Sequence, residues 1–146
     1  MNTQPDFEEF LSLLQKHQVD YMLVGGYAGA FHGHPRFTKD LDVFFRNSPD
    51  NVAQLKNALV DFGFNQDDVA GLALEKENEI IRFGMDPVMI DLINTIDGVT
   101  YDEAAPHAVT ATYGSTPAIF IGKEQLLRNK RATSRLQDRA DVEELQ

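Results

Sequence analysis

The chain contains no cysteine, so disulfides and thiolate metal sites are excluded. That absence fits a reducing cytoplasm, the compartment expected here. No apolar run approaches the roughly 18 residues needed to span a bilayer, and the polar, acidic N-terminus lacks the apolar stretch of a signal peptide. No Gly-x-x-x-x-Gly-Lys-[Ser/Thr] stretch occurs, which removes P-loop chemistry as far as a motif can. His32 and His34 stand two apart rather than four, the wrong spacing for a helix-borne zinc pair, so a structural role fits them better. Nothing is spaced as a Ser-His-Asp triad. Positive charge is scarce: 13 Lys and Arg against 23 Asp and Glu give a net charge of −10. Such a surface repels nucleic acid and argues against a role coating DNA or RNA.

What remains is an ordinary globular composition, 42% hydrophobic and 25% charged. At 146 residues one domain, 1–146, is expected, long enough to bury roughly 68–70% of its extended surface. Basic residues collect near the C-terminus: Lys123, Arg128, Lys130, Arg131, Arg135 and Arg139. A local basic segment on an acidic chain suits a small anionic ligand. Pairing with Glu124, Asp138, Asp141 and Glu143 along helix surfaces accounts for the same residues.

Apolar spacing predicts a helix over 5–17 and a short buried strand over 21–24. A turn or two of helix follows over 27–31, broken at Gly33-His34-Pro35. A second strand is predicted over 40–45, and a helix opened by Ser48-Pro49 and stopped at Gly63. Strands are expected over 79–83, 88–93, 109–113 and 118–121, then helices over 123–132 and 137–145. This order reads as an α+β fold with a mixed sheet.

Two anomalies stand out against that background. Val24-Gly25-Gly26 closes one apolar run, and after 13 intervening residues Asp40-Leu41-Asp42-Val43 opens another. In a strand, Asp40 and Asp42 point to the same face. Like charges that close repel unless a cation intervenes, and hard oxygen ligands favour Mg2+ or Mn2+. Glycines let backbone approach a phosphate closely. Asp91 is the second anomaly, interrupting the apolar run Val88-Met89-Ile90-Asp91-Leu92-Ile93. A carboxylate there needs a partner: a shared metal if its strand neighbours Asp40-Leu41-Asp42, or Arg82 across a hairpin.

Hydrophobic-Gly-Gly, a spacer, then Asp-hydrophobic-Asp, with a third carboxylate on a later strand, resembles the signature of the nucleotidyltransferase superfamily with its polymerase-beta-like fold. The wording from Gly25-Gly26 through His32-Gly33-His34-Pro35-Arg36-Phe37-Thr38-Lys39-Asp40-Leu41-Asp42 is similar to a small bacterial subgroup. That subgroup is related to abortive-infection toxin nucleotidyltransferases. The tail from Leu126 to Leu145 is similar to it as well, although Thr133-Ser134-Arg135-Leu136-Gln137-Asp138 departs from the subgroup's Thr-Gly-Arg-Pro-x-Asp.

The resemblance implies an enzyme that moves NMP from an NTP to an acceptor hydroxyl and releases pyrophosphate. Asp40, Asp42 and Asp91 would be catalytic and would hold Mg2+ or Mn2+, with Asp91 the candidate base. Gly25 and Gly26 would meet the nucleotide. Lys130 would face the triphosphate, or be a solvated helix position. Arg36, Thr38 and Lys39 would touch phosphate or acceptor, or cap and solvate their loop. The acceptor stays open among a tRNA end, a protein side chain, a small molecule and another nucleotide. Because the chain is short, completion of the site by a partner protein or a homodimer stays open too. The alternative is a catalytically silent nucleotide-binding or toxin–antitoxin-type regulatory module.

Overall fold

The computed structural model describes residues 3–34, 39–85, 88–133, 142, 143 and 145. Six α-helices and a six-stranded mixed sheet make up the described residues, an α+β arrangement. Helix α1 (Pro5–Lys16) leads to strand β1 (Tyr21–Val24), and α2 (Gly25–Phe31) follows without a break. Strand β2 (Asp40–Phe45), helices α3 (Pro49–Phe62) and α4 (Gln66–Ala70), and the hairpin β3 (Ile80–Met85) and β4 (Val88–Ile93) come next. Helix α5 (Tyr101–Ala104), a 3₁₀ turn over 105–107, the hairpin β5 (Val109–Tyr113) and β6 (Thr116–Phe120), and α6 (Lys123–Ala132) complete the described elements.

The strand order is β3-β4-β2-β1-β6-β5. β2 runs antiparallel to β1 and parallel to β4, and β1 runs parallel to β6. Alternation along each strand feeds two cores. Leu23, Leu41, Val43, Ile90 and Leu92 join Phe7, Phe10, Leu11 and Leu14 of α1 and Val52, Leu55 and Leu59 of α3. Met22, Val24 and Phe44 point the other way, to Leu126 and Leu127 of α6 and Val99 and Ala104 before and within α5. α3 is set by its ends: Ser48 caps the N-terminus through the Asn51 amide, Pro49 opens the first turn, and Gly63 closes it at φ 126°.

Differences from the sequence expectations are local. α2 begins two residues earlier, at Gly25 rather than Tyr27, and β6 spans Thr116–Phe120 rather than 118–121. α4 and α5, of five and four residues, are too short to show apolar periodicity. The helix expected over 137–145 lies mostly outside the described residues, as do Pro35, Arg36, Phe37 and Thr38. No helix among the described residues is long and apolar enough to cross a membrane.

Candidate active site

Strand register assembles the site. Val24 pairs with Asp42, Asp42 with Asp91, and Asp91 with Arg82, so four strands contribute one row across the sheet. Laterally paired residues share a face, and Asp40 joins it two residues before Asp42. The residues between them, Leu41, Ile90 and Leu92, are buried on the opposite face. Alternation thus sends leucine and isoleucine into the α1/α3 core and every carboxylate of the row toward the α6 side.

Gly25 belongs to this row by contact. Its φ is 69°, the left-handed region that glycine enters without strain. A Cβ here would stand 3.0 Å from the carboxyl carbon of Asp42 and closer still to its Oδ2. Any side chain would therefore displace the carboxylate.

The loop after β4 brings α6 over the carboxylates. Arg128 Nη2 donates to the Gly98 carbonyl at 3.1 Å, and Asn129 Nδ2 donates to the Asp97 carbonyl at 2.9 Å. Gly98, at φ 84°, lies so near the Arg128 carbonyl that a Cβ would approach it to 2.5 Å. Arg128 also pairs with Glu103. The result is an open cleft of about 440 Å³, floored by Asp42, Asp91 and Gly25 and walled by Asp97, Asn129 and Thr133.

Arg82 dominates the electrostatics of the carboxylates. Its Nε donates to Asp91 Oδ1 at 2.7 Å, and its Nη2 donates to Asp91 Oδ2 at 3.2 Å and to Asp40 Oδ2 at 2.7 Å. The Asp91 side chain is 14% exposed and that of Arg82 is 53% exposed. The guanidinium's pKa is raised further, first by the bond to Asp91, then by the charges of Asp91, Asp40 and Asp42. As arranged, no three carboxylate or histidine side chains among the described residues are gathered to hold a metal ion. The convergence expected from the sequence is one of face and register, with a cation from the protein itself between Asp40 and Asp91. Hard carboxylate oxygens on one face still have the chemistry that Mg2+ or Mn2+ prefers, and Arg82 stands where part of that charge would be needed.

Lys130 is 2% exposed, so the solvated alternative does not hold. It packs on α6 beside Asn129, which lines the cleft. Lys39 is exposed just before Asp40. Gly26 is buried at the start of α2. Arg36 and Thr38 lie outside the described residues, as does Arg135. His32 is structural, its Nε2 2.7 Å from the Ile121 carbonyl oxygen. Tyr27, beneath the site, has its pKa raised by burial, then by Tyr113, with a smaller contribution from Asp40.

From the sequence alone, Arg82 is only an alternative partner for Asp91. A basic residue on the strand preceding an interrupted apolar strand was its signal, and its reach to Asp40 required the parallel β2–β4 pairing. No family model matches the chain, and no curated protein matches its sequence.

Proposed function

We propose that the chain is a metal-dependent nucleotidyltransferase of the polymerase-beta-like fold, transferring NMP from an NTP to an acceptor hydroxyl. The observation that carries this reading is the lateral pairing of Asp42 with Asp91, with Asp40 on the same face and Gly25 against the Asp42 carboxylate. Three acids on one face of a central sheet region cost desolvation and mutual repulsion unless cations offset them, and Arg82 bridges Asp40 and Asp91.

Asp40, Asp42 and Asp91 would hold Mg2+ or Mn2+, which when bound would neutralise the triphosphate and acidify the attacking hydroxyl. The chain's own residues supply the rest. The missing side chain at Gly25 leaves room for the Asp42 carboxylate, and the Gly25 backbone would meet the nucleotide. Asp91 would take the proton as the acceptor oxygen bonds to the α-phosphorus and the bond to pyrophosphate breaks. Lys130, Arg36, Thr38 and Lys39 are the candidates for the triphosphate or the acceptor. The acceptor would be a tRNA end, a protein side chain, a small molecule or another nucleotide, and a second subunit or partner protein would help hold it.

The test is Asp42→Asn, assayed for pyrophosphate release and for label transfer from NTPs into a cell extract. Transfer should vanish while the melting temperature stays near that of the wild type. Magnesium-dependent transfer by the folded variant would overturn the assignment. The Arg82 bridge favours one second reading, a nucleotide-binding or toxin–antitoxin-type module that does not turn its ligand over. Calorimetric binding of ATP and Mg2+ without pyrophosphate release would select it.

A further inference from the structure

Arg82 reaches the carboxylates from β3, an edge strand. Half its side chain is exposed, so it can turn to solvent with little disturbance. Three hydrogen bonds bind it to Asp91 and Asp40. A divalent ion at those oxygens competes with the guanidinium, because two cations on one carboxylate edge repel. A guanidinium displaced to the rim of the cleft is in turn a fork suited to phosphate oxygens.

We propose that Arg82 is an exchangeable counter-ion: it closes the carboxylates to free divalent cations and yields them to a cation bound to a nucleoside triphosphate, whose phosphates it then receives. This rests on the metal-site reading above. Metal alone must displace an ion pair and leave the arginine uncompensated. The metal–polyphosphate complex supplies a positive partner for the aspartates and a negative one for the arginine in the same event. The resting protein is thereby selective for the complex over its parts.

The experiment titrates two species separately: Mn2+ alone, followed by electron paramagnetic resonance, and preformed Mn2+·α,β-methylene-ATP, followed by calorimetry. Wild type, Arg82→Gln, Arg82→Lys and Asp42→Asn are compared. Arg82→Gln should bind Mn2+ about tenfold more tightly and the complex about tenfold more weakly than the wild type. Arg82→Lys, charged but unable to bridge in the same way, should fall between. A merely structural role for Arg82 moves both affinities in the same direction, and that result, or unchanged Mn2+ affinity, overturns the exchange. If Asp42→Asn still abolishes Mn2+ binding in that case, the metal site stands without the exchange. If neither species binds the wild type or Arg82→Gln, the metal-site reading falls and the exchange with it.

Discussion

Gly25 and Asp42 interlock across the β1–β2 pair: the carboxylate of one occupies the space where the other's side chain would begin. Gly25→Ala therefore meets two penalties, strain at φ 69° and collision with Asp42. We expect a loss of roughly 1–3 kcal/mol in urea unfolding. Binding of the Mn2+–nucleotide complex should fall roughly tenfold or more, because the carboxylate is pushed off its line. Unimpaired binding in a destabilised variant would show that Gly25 serves the backbone alone.

Lys130 separates packing from charge. Its stem is enclosed, so Lys130→Ala should cost about 2–4 kcal/mol through the cavity it leaves. Lys130→Met fills that space without the ammonium and should regain the packing part of the stability. If the amine serves the triphosphate, nucleotide affinity stays low in both variants. Recovery of affinity with Met would assign Lys130 to packing.

Asn51 ties the start of α3 to the two strand ends flanking it. It accepts from the Asp20 amide at 2.6 Å and donates to the carbonyls of Asp20 at 2.9 Å and Arg46 at 2.7 Å. It is 6% exposed, so water does not readily replace these bonds. Asn51→Ala should destabilise by about 2–4 kcal/mol, measured by urea denaturation. Metal binding at the distant aspartates should change little.

Asp61 gives a pH signature. Its carboxyl is held below its ordinary value first by the hydrogen bond with His17 (2.6 Å) and then by Lys16 (3.2 Å). A depressed acid stabilises the fold in full above its unfolded pKa, about 3.9, and that contribution disappears as pH falls through the lower folded value. Asp61→Asn should thus be less stable than the wild type above about pH 4, with the difference shrinking as acid is added. Parallel curves across that range would show that the pairing carries no linkage.

Much of this arrangement was legible in the residues. The run Asp40–Phe45 alternates acid and apolar side chains before turning fully apolar, and the strand occupies those six positions. Ser48-Pro49 and Gly63 marked both ends of α3 through local capping chemistry. Other features depend on partners distant in sequence. Arg82 bonding Asp40 spans 42 positions and follows from strand order, which local patterning does not encode. Lys130 looks solvated on a strongly polar helix, and only docking of α6 through Gly98 and Asp97 turns it inward. Helix α5, capped by the Thr100–Glu103 box, was not predicted, because four residues offer no apolar periodicity.

The pairing of β2 with β4 has one more consequence, for folding fidelity. A slip of one residue between these strands would send Asp91 among Leu41 and Val43 and turn Ile90 and Leu92 out toward the cleft. Burying a bare carboxylate there opposes every other contact of that core. A one-residue misalignment is therefore self-rejecting: a chain that has packed its α1/α3 core has, by the same act, placed Asp91 on the face that carries Asp40 and Asp42. An isomer slipped by one residue cannot also be correctly packed, and so has no stable place on the folding landscape.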